Sequence, residues 1–265
     1  MNHGAQRALD ERDERLIAMR LLVLSAALFL AGLAVADTRS AEWDGAIRSN
    51  QTDVIRALYP ERPDVDDATD HGKTALMAAA AAGDAGLVAE LLERGADPAA
   101  TNRLGGSVLM YAIGGRDRTT IRLVLETGVP LDGQASNGWG AVMMAAARND
   151  AETIALLGER GADPNAQDIY GWTPLMRAVY LGNAAAAEAL LSQPELDLTR
   201  TNRNGQNALH IAVIGGESEL VNALLERGLE QITDRNGYTP KSIADELGRE
   251  DLLALLAERE YASGR

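Results

Sequence analysis

Three histidines are the side chains of this 265-residue sequence best suited to proton transfer near neutral pH, and their surroundings decide whether they perform it. His3 lies near the N-terminus, His71 follows Asp70, and His210 stands in Ala208-Leu209-His210-Ile211-Ala212. A carboxylate adjacent in sequence does not orient an imidazole as a general base requires, and Asp70-His71-Gly72 has the composition of a solvated turn. With no Cys, thiol nucleophiles, disulfides and zinc–cysteine sites are excluded. No nucleophile–base pairing, phosphate-cradling glycine loop or metal-ligand spacing occurs. Seven Met residues offer a sacrificial role under oxidation. Four of them, Met77, Met110, Met143 and Met176, stand 33 residues apart, and core packing is the other account of them. The chemistry expected is therefore non-catalytic: no enzyme activity, no cofactor and no metal. Aromatic side chains remain the strongest candidates for a function, and they are few, at 4% of the chain.

What positions them is a repeat. Gly72, Gly105, Gly138 and Gly171 stand 33 residues apart, followed by Gly205 after 34 and Gly237 after 32. A second series, Gly95, Gly128, Gly161 and Gly228, trails the first by 23. Two interlocked periods imply one supersecondary unit stacked many times over a shared core. In the unit 70–102, Thr74 is placed to cap a helix whose buried face carries Leu76, Ala79 and Ala80. Gly83 allows a tight turn, and a second helix follows with Leu87, Val88, Leu91 and Leu92 inward and Glu90, Glu93 and Arg94 outward. Gly95 then suits a left-handed helix end before an extended return. The 46% hydrophobic content with a single Phe demands a core of Ala, Leu, Val, Ile and Met, which suits thin, closely stacked helices.

Gly171-Trp172-Thr173-Pro174-Leu175 and Gly237-Tyr238-Thr239-Pro240 resemble the G-x-T-P-L opening of an ankyrin repeat. Gly161-Ala162-Asp163-Pro164-Asn165 and Gly95-Ala96-Asp97-Pro98 resemble its G-A-D-x-N close. The resemblance covers about residues 40–261 and implies an all-α solenoid of stacked helix-turn-helix units joined by hairpin loops. It also implies that His210 is the structural histidine that braces the repeat opening. Residues 37–69 are expected to form an N-terminal capping repeat, 70–233 five internal repeats, and 234–265 a C-terminal cap with Leu252, Leu253, Leu255 and Leu256 inward and Glu246, Arg249, Glu250 and Glu258 outward. Trp43, inside the first cap, is expected in the core. Gly114-Gly115-Arg116 puts a non-glycine at the turn position held by Gly83 and Gly182, so the second internal repeat is expected to be the least stable. The extra residue within 192–198 is expected to be a tolerated loop insertion, a contact point being the alternative.

Proteins of this family bind partners through hairpin tips and the exposed side of each first helix. By position, this puts Trp139, Tyr170, Trp172, Tyr180, Leu181 and Ile214 on one concave surface of adjacent repeats. Such an aromatic cluster has the composition of an interface hot spot; the alternative is that the rings shield the stack. A protein partner is thus implied and a monomer expected. Lys plus Arg number 25 against 39 Asp plus Glu, for a net charge of −14. That balance argues against nucleic acid and is compatible with a basic partner.

The N-terminus reads as an address. Leu21 to Ala36 is an uncharged apolar run ending in Ala34-Val35-Ala36, the layout of a cleavable secretory signal over 1–36. At sixteen residues it is short of the roughly 20 that span a bilayer, though an uncleaved anchor is the alternative. Upstream charges cancel, so translation from Met19 would give a better signal. A secreted, periplasmic binding module is the expectation, with a toxin-neutralising partner or an escort for a periplasmic enzyme as its concrete versions and an enzyme in its own right as the less favoured alternative.

Overall fold

Each unit begins with an extended polar segment that a short hydroxyl or amide side chain stops and converts into helix. Thr74, Ser107, Thr173, Asn207 and Thr239 each accept a hydrogen bond from the backbone N–H three residues on, at 3.1–3.3 Å. Caps of this kind contribute about 1 kcal/mol each. Gly140 opens its helix without such a bond.

The computed structural model describes residues 40–61 and 64–263; the apolar run 21–36 and the alternative start at Met19 lie outside the described residues. The described helices fall into pairs: α1 (40–48) with α2 (Thr52–Leu58), α3 (Ala75–Ala82) with α4 (Ala85–Glu93), α5 (Val108–Gly115) with α6 (Arg118–Glu126), and α7 (Ala141–Ala147) with α8 (Ala151–Glu159). The series continues with α9 (Pro174–Tyr180) and α10 (Ala184–Leu191), α11 (Ala208–Gly215) and α12 (Ser218–Glu226), α13 (Pro240–Glu246) and α14 (Glu250–Ser263). From α3 to α13 the first helices pack one on the next, forming an inner row, while the second helices form an outer one. This is the all-α solenoid that the resemblance implied. Among the described residues no helix is long and apolar enough to cross a membrane.

One continuous core runs through the stack. Leu76, Ala79, Ala80, Leu87, Val88 and Leu91 are buried as the spacing required, and Met77, Met110, Met143 and Met176 lie in the core. Trp43 is fully buried and its indole N–H donates to the Asp67 carbonyl at 3.3 Å. Leu252 and Leu256 close the far end, with Leu253 and Leu255 half-buried against it. Arg249 is not simply outward: it reaches back to donate to the Ile214 carbonyl at 3.3 Å.

Hairpins are sewn together tip to tip. Backbone N–H groups of Arg103, Ser136, Ile169, Arg203 and Arg235 donate to the carbonyls of His71, Leu104, Asn137, Tyr170 and Asn204. Gly138 shows why the opening glycine recurs: its φ is +81°, and a Cβ would lie 2.6 Å from Asp168 Cα. The loop around the extra residue packs back too, with Asn165 bonding both the Glu195 carbonyl (2.8 Å) and the Asp197 N–H (2.7 Å).

Arg116 adopts the predicted left-handed conformation, with φ +64°. Gly115, however, is more than a weak helix residue. A Cβ there would sit 2.8 Å from the Ala81 carbonyl oxygen and nearer still to that of Ala80, so its bareness lets α5 close on α3.

His210 is fully buried and acts as the brace that the resemblance implied. Its Nδ1 lies 3.3 Å from the Asn207 N–H and 2.8 Å from Asn207 Oδ1, while Nε2 donates to the Tyr238 carbonyl at 3.2 Å, which places a proton on Nε2. Burial holds its pKa below the usual imidazole value, against the opposing pull of the Tyr238 carbonyl and Asp234.

Candidate interaction surface

Two tryptophans of neighbouring repeats are joined through a cation. The Arg177 guanidinium, on α9, lies 4.8 Å from the Trp172 ring centroid and 5.2 Å from that of Trp139. Trp172 in turn meets Tyr180 edge-on, centroids 5.3 Å apart at 80°. Rings offered to a cation on one side and to a ring edge on the other gain about 0.5–1.5 kcal/mol per contact. The row Trp139–Arg177–Trp172–Tyr180 is therefore held in place before any partner arrives.

Asp168 is the anchor of that row. Its carboxylate is 1% exposed and meets Arg177 Nη2 at 2.8 Å. The other oxygen accepts from the Tyr170 and Trp172 N–H groups, both at 2.9 Å, closing the hairpin that presents those aromatics. Asn102, Asn202 and Asp234 close their own hairpins in the same way at the equivalent position. Only Asp168 adds an ion pair to that role. Sequence reasoning overlooked both Asp168 and Arg177. The recurrence of Asn or Asp three residues before four of the six opening glycines, at Asn102, Asp168, Asn202 and Asp234, was the available signal for the first; an isolated Arg in an inner helix gave none for the second.

Of the six residues expected on the concave surface, Trp139, Trp172 and Tyr180 are brought together by the row itself. Leu181, next to Tyr180, is 47% exposed; Tyr180 is 59% exposed. Tyr170 (59% exposed) stands at its hairpin tip and Ile214 (43%) at the end of α11 one repeat on, flanking the row rather than joining it. Trp172 also packs against the core, so shielding of the stack accounts for part of that ring but for none of the four exposed side chains. His71 is exposed at its tip, and among the described residues no cluster of His, Asp and Glu is placed to hold a metal ion.

A groove continues from Trp139 toward the N-terminal end. Two adjoining hollows, of about 500 and 450 Å³, share Trp139, Met144 and Arg148. The larger is floored by Met110 and Tyr111.

Comparison with known proteins agrees with this architecture. The family described as "Ankyrin repeats (3 copies)" matches residues 44–134, 81–168, 109–202 and 175–263. A Notch-regulated ankyrin repeat-containing protein of Homo sapiens is 35% identical over 94 residues, 33% of this chain and 82% of that protein. The Arabidopsis thaliana potassium channel AKT1 is 41% identical over 64 residues, and its Oryza sativa subsp. indica counterpart 37% over 68; the aligned parts are 24% and 25% of this chain. They span only 8% and 7% of those channels. The matched spans run through nearly the whole stack from α1 to α14, and the chain belongs to the ankyrin-repeat family.

Proposed function

We propose that this chain is a non-catalytic binding module of the periplasm that captures a protein partner on its concave face between Trp139 and Ile214. An ankyrin stack is a protein–protein interaction scaffold, and Tyr170, Tyr180, Leu181 and Ile214 are among the large apolar side chains that this one leaves exposed. The observation that carries the reading is the Trp139–Arg177–Trp172–Tyr180 row. Its rings are fixed by their own neighbours, so little side-chain freedom is lost on association. The signal-like run before Asp37 supports placement outside the cytoplasm. Within that class, a neutralising partner for a toxin and an escort for a periplasmic enzyme use the same face.

The test compares the full-length chain with a Tyr180→Ala/Leu181→Ala variant, both immobilised against an extract of the organism's own cell envelope. These two side chains are exposed, so their loss leaves the stack folded, whereas truncating Trp172 would disturb the core. Capture of a defined protein by the wild type and its loss by the folded variant is expected. Equal capture by both would move the site off the aromatic row.

A further inference from the structure

The chain carries 39 carboxylates against 25 cations, yet the groove beside Trp139 has none. Neither hollow is lined by an Asp or Glu, while Arg148 lines both and Arg116 the smaller. The segregation is systematic: α3, α5, α7, α9 and α11 contain no Asp or Glu, whereas α4, α6, α8, α10 and α12 each carry at least one Glu. The carboxylates nearest in the turns are engaged. Asp84, Asp117 and Asp150 each cap the helix that follows, accepting from Leu87, Thr120 and Thr153 N–H at 2.7–3.1 Å.

The two arginines are by contrast available, whereas Lys73 is held by Asn50 and the Arg48 carbonyl. Arg116 spends one N–H on the Arg148 carbonyl at 3.4 Å, and Arg148 is exposed at the mouth of the groove. Lys73 lies 5.5 Å above the Tyr111 ring, bonded through Nζ to Asn50. Among the described residues none of the three forms an ion pair. The Tyr111 hydroxyl accepts from Asn102 Nδ2 at 2.9 Å, which leaves its own proton to donate into the hollow.

We propose that this groove binds an acidic, extended peptide segment of the partner, with an apolar side chain entering beside Met144 and Trp139 and carboxylates meeting Arg116 and Arg148. The inference rests on the concave face being the docking surface, and it assigns that surface a ligand of charge opposite to the one the net charge suggests. A basic partner would meet its complement on the outer helices instead. Net repulsion does not forbid an acidic ligand, because at 0.15 M salt charges separated by more than about 8 Å are largely screened while contacts in the groove are not.

The experiment is a selection of random twelve-residue displayed peptides on the full-length chain at physiological salt, followed by affinity measurement with the synthesised winners. Peptides enriched in Asp and Glu around one apolar residue are expected. Their affinity should fall about tenfold or more in Arg148→Glu, as loss of a charge-assisted hydrogen bond implies. Arg116→Asn, a residue that tolerates the left-handed conformation there, should weaken binding without disturbing the fold. Neutral or basic winners, or acidic ones indifferent to Arg148→Glu, overturn the proposal. If such winners are nonetheless lost by Tyr180→Ala/Leu181→Ala, the concave-face reading survives and only the acidic assignment falls. If no winner depends on either variant, or none is selected, both fall.

Discussion

At the scale of single residues, Asp168 and Arg177 carry more than their number suggests. A carboxylate withdrawn almost wholly from water is tolerated because one oxygen accepts two backbone N–H groups and the other meets a guanidinium. Removing the guanidinium alone leaves that charge buried with one oxygen unpaired. Arg177→Met should therefore destabilise the protein by about 2–4 kcal/mol, the loss of two cation–π contacts included. Asn serves the hairpin role without an ion pair at Asn102 and Asn202, so Asp168→Asn in the Arg177→Met background should recover part of the loss. Urea denaturation of the two single variants and the double completes the cycle. Additive losses would show that the pair does not act as a unit. The sequence held a signal for Asp168 in the recurring Asn or Asp but none for its ion pair, because nothing local distinguishes an inner-helix Arg that faces two rings from one that faces water.

Helices and turns are where the sequence was most legible. Periodic glycines, Thr-Pro openings and the Leu-rich second helices each have a local cause, and a local cause repeats with its residues. What a single unit does not contain is the distance to its neighbour, and Gly114-Gly115 shows the consequence. By helix propensity the two are equivalent weaknesses, each costing about 1 kcal/mol against Ala. The stack makes them opposites. The nearest atom to a Cβ on Gly114 is Arg148 Nη2 at 3.9 Å, whereas a Cβ on Gly115 would be driven into the Ala80 and Ala81 carbonyls of the preceding repeat. Gly114→Ala should stabilise the protein by about 0.5–1 kcal/mol. Gly115→Ala should destabilise it by about 1–3 kcal/mol, since sterics outweigh propensity in a packed interface. Hydrogen exchange in α3 and α5 distinguishes them: faster exchange in both helices for Gly115→Ala, slower or unchanged for Gly114→Ala. Stabilisation by both substitutions would show that the two helices have room to separate.

The whole molecule segregates its charge, with Glu on every outer helix from α4 to α12 and only neutral or cationic side chains on the inner helices from α3 to α11. A solenoid amplifies this, since each repeat places its outer helix beside the next and like charges accumulate along one side. The net −14 must therefore repel itself across the stack. Ion pairs between repeats, such as Arg56 with Asp84 and Glu90 or Arg118 with Glu152, offset some of that repulsion. Their side chains keep between 23% and 65% of their surface in water, and pairs in contact with solvent are worth about 1 kcal/mol each. Salt acts on both terms, but long-range repulsion along the stack is screened first, as the Debye length shrinks from about 30 Å at 0.01 M to about 10 Å at 0.1 M. The melting temperature should consequently rise with NaCl over that range, then flatten once the screening length approaches the spacing of adjacent repeats. Thermal unfolding followed by circular dichroism measures this directly. A melting temperature that falls with salt would mean that the inter-repeat ion pairs, rather than the accumulated acidity, dominate the electrostatics of the stack.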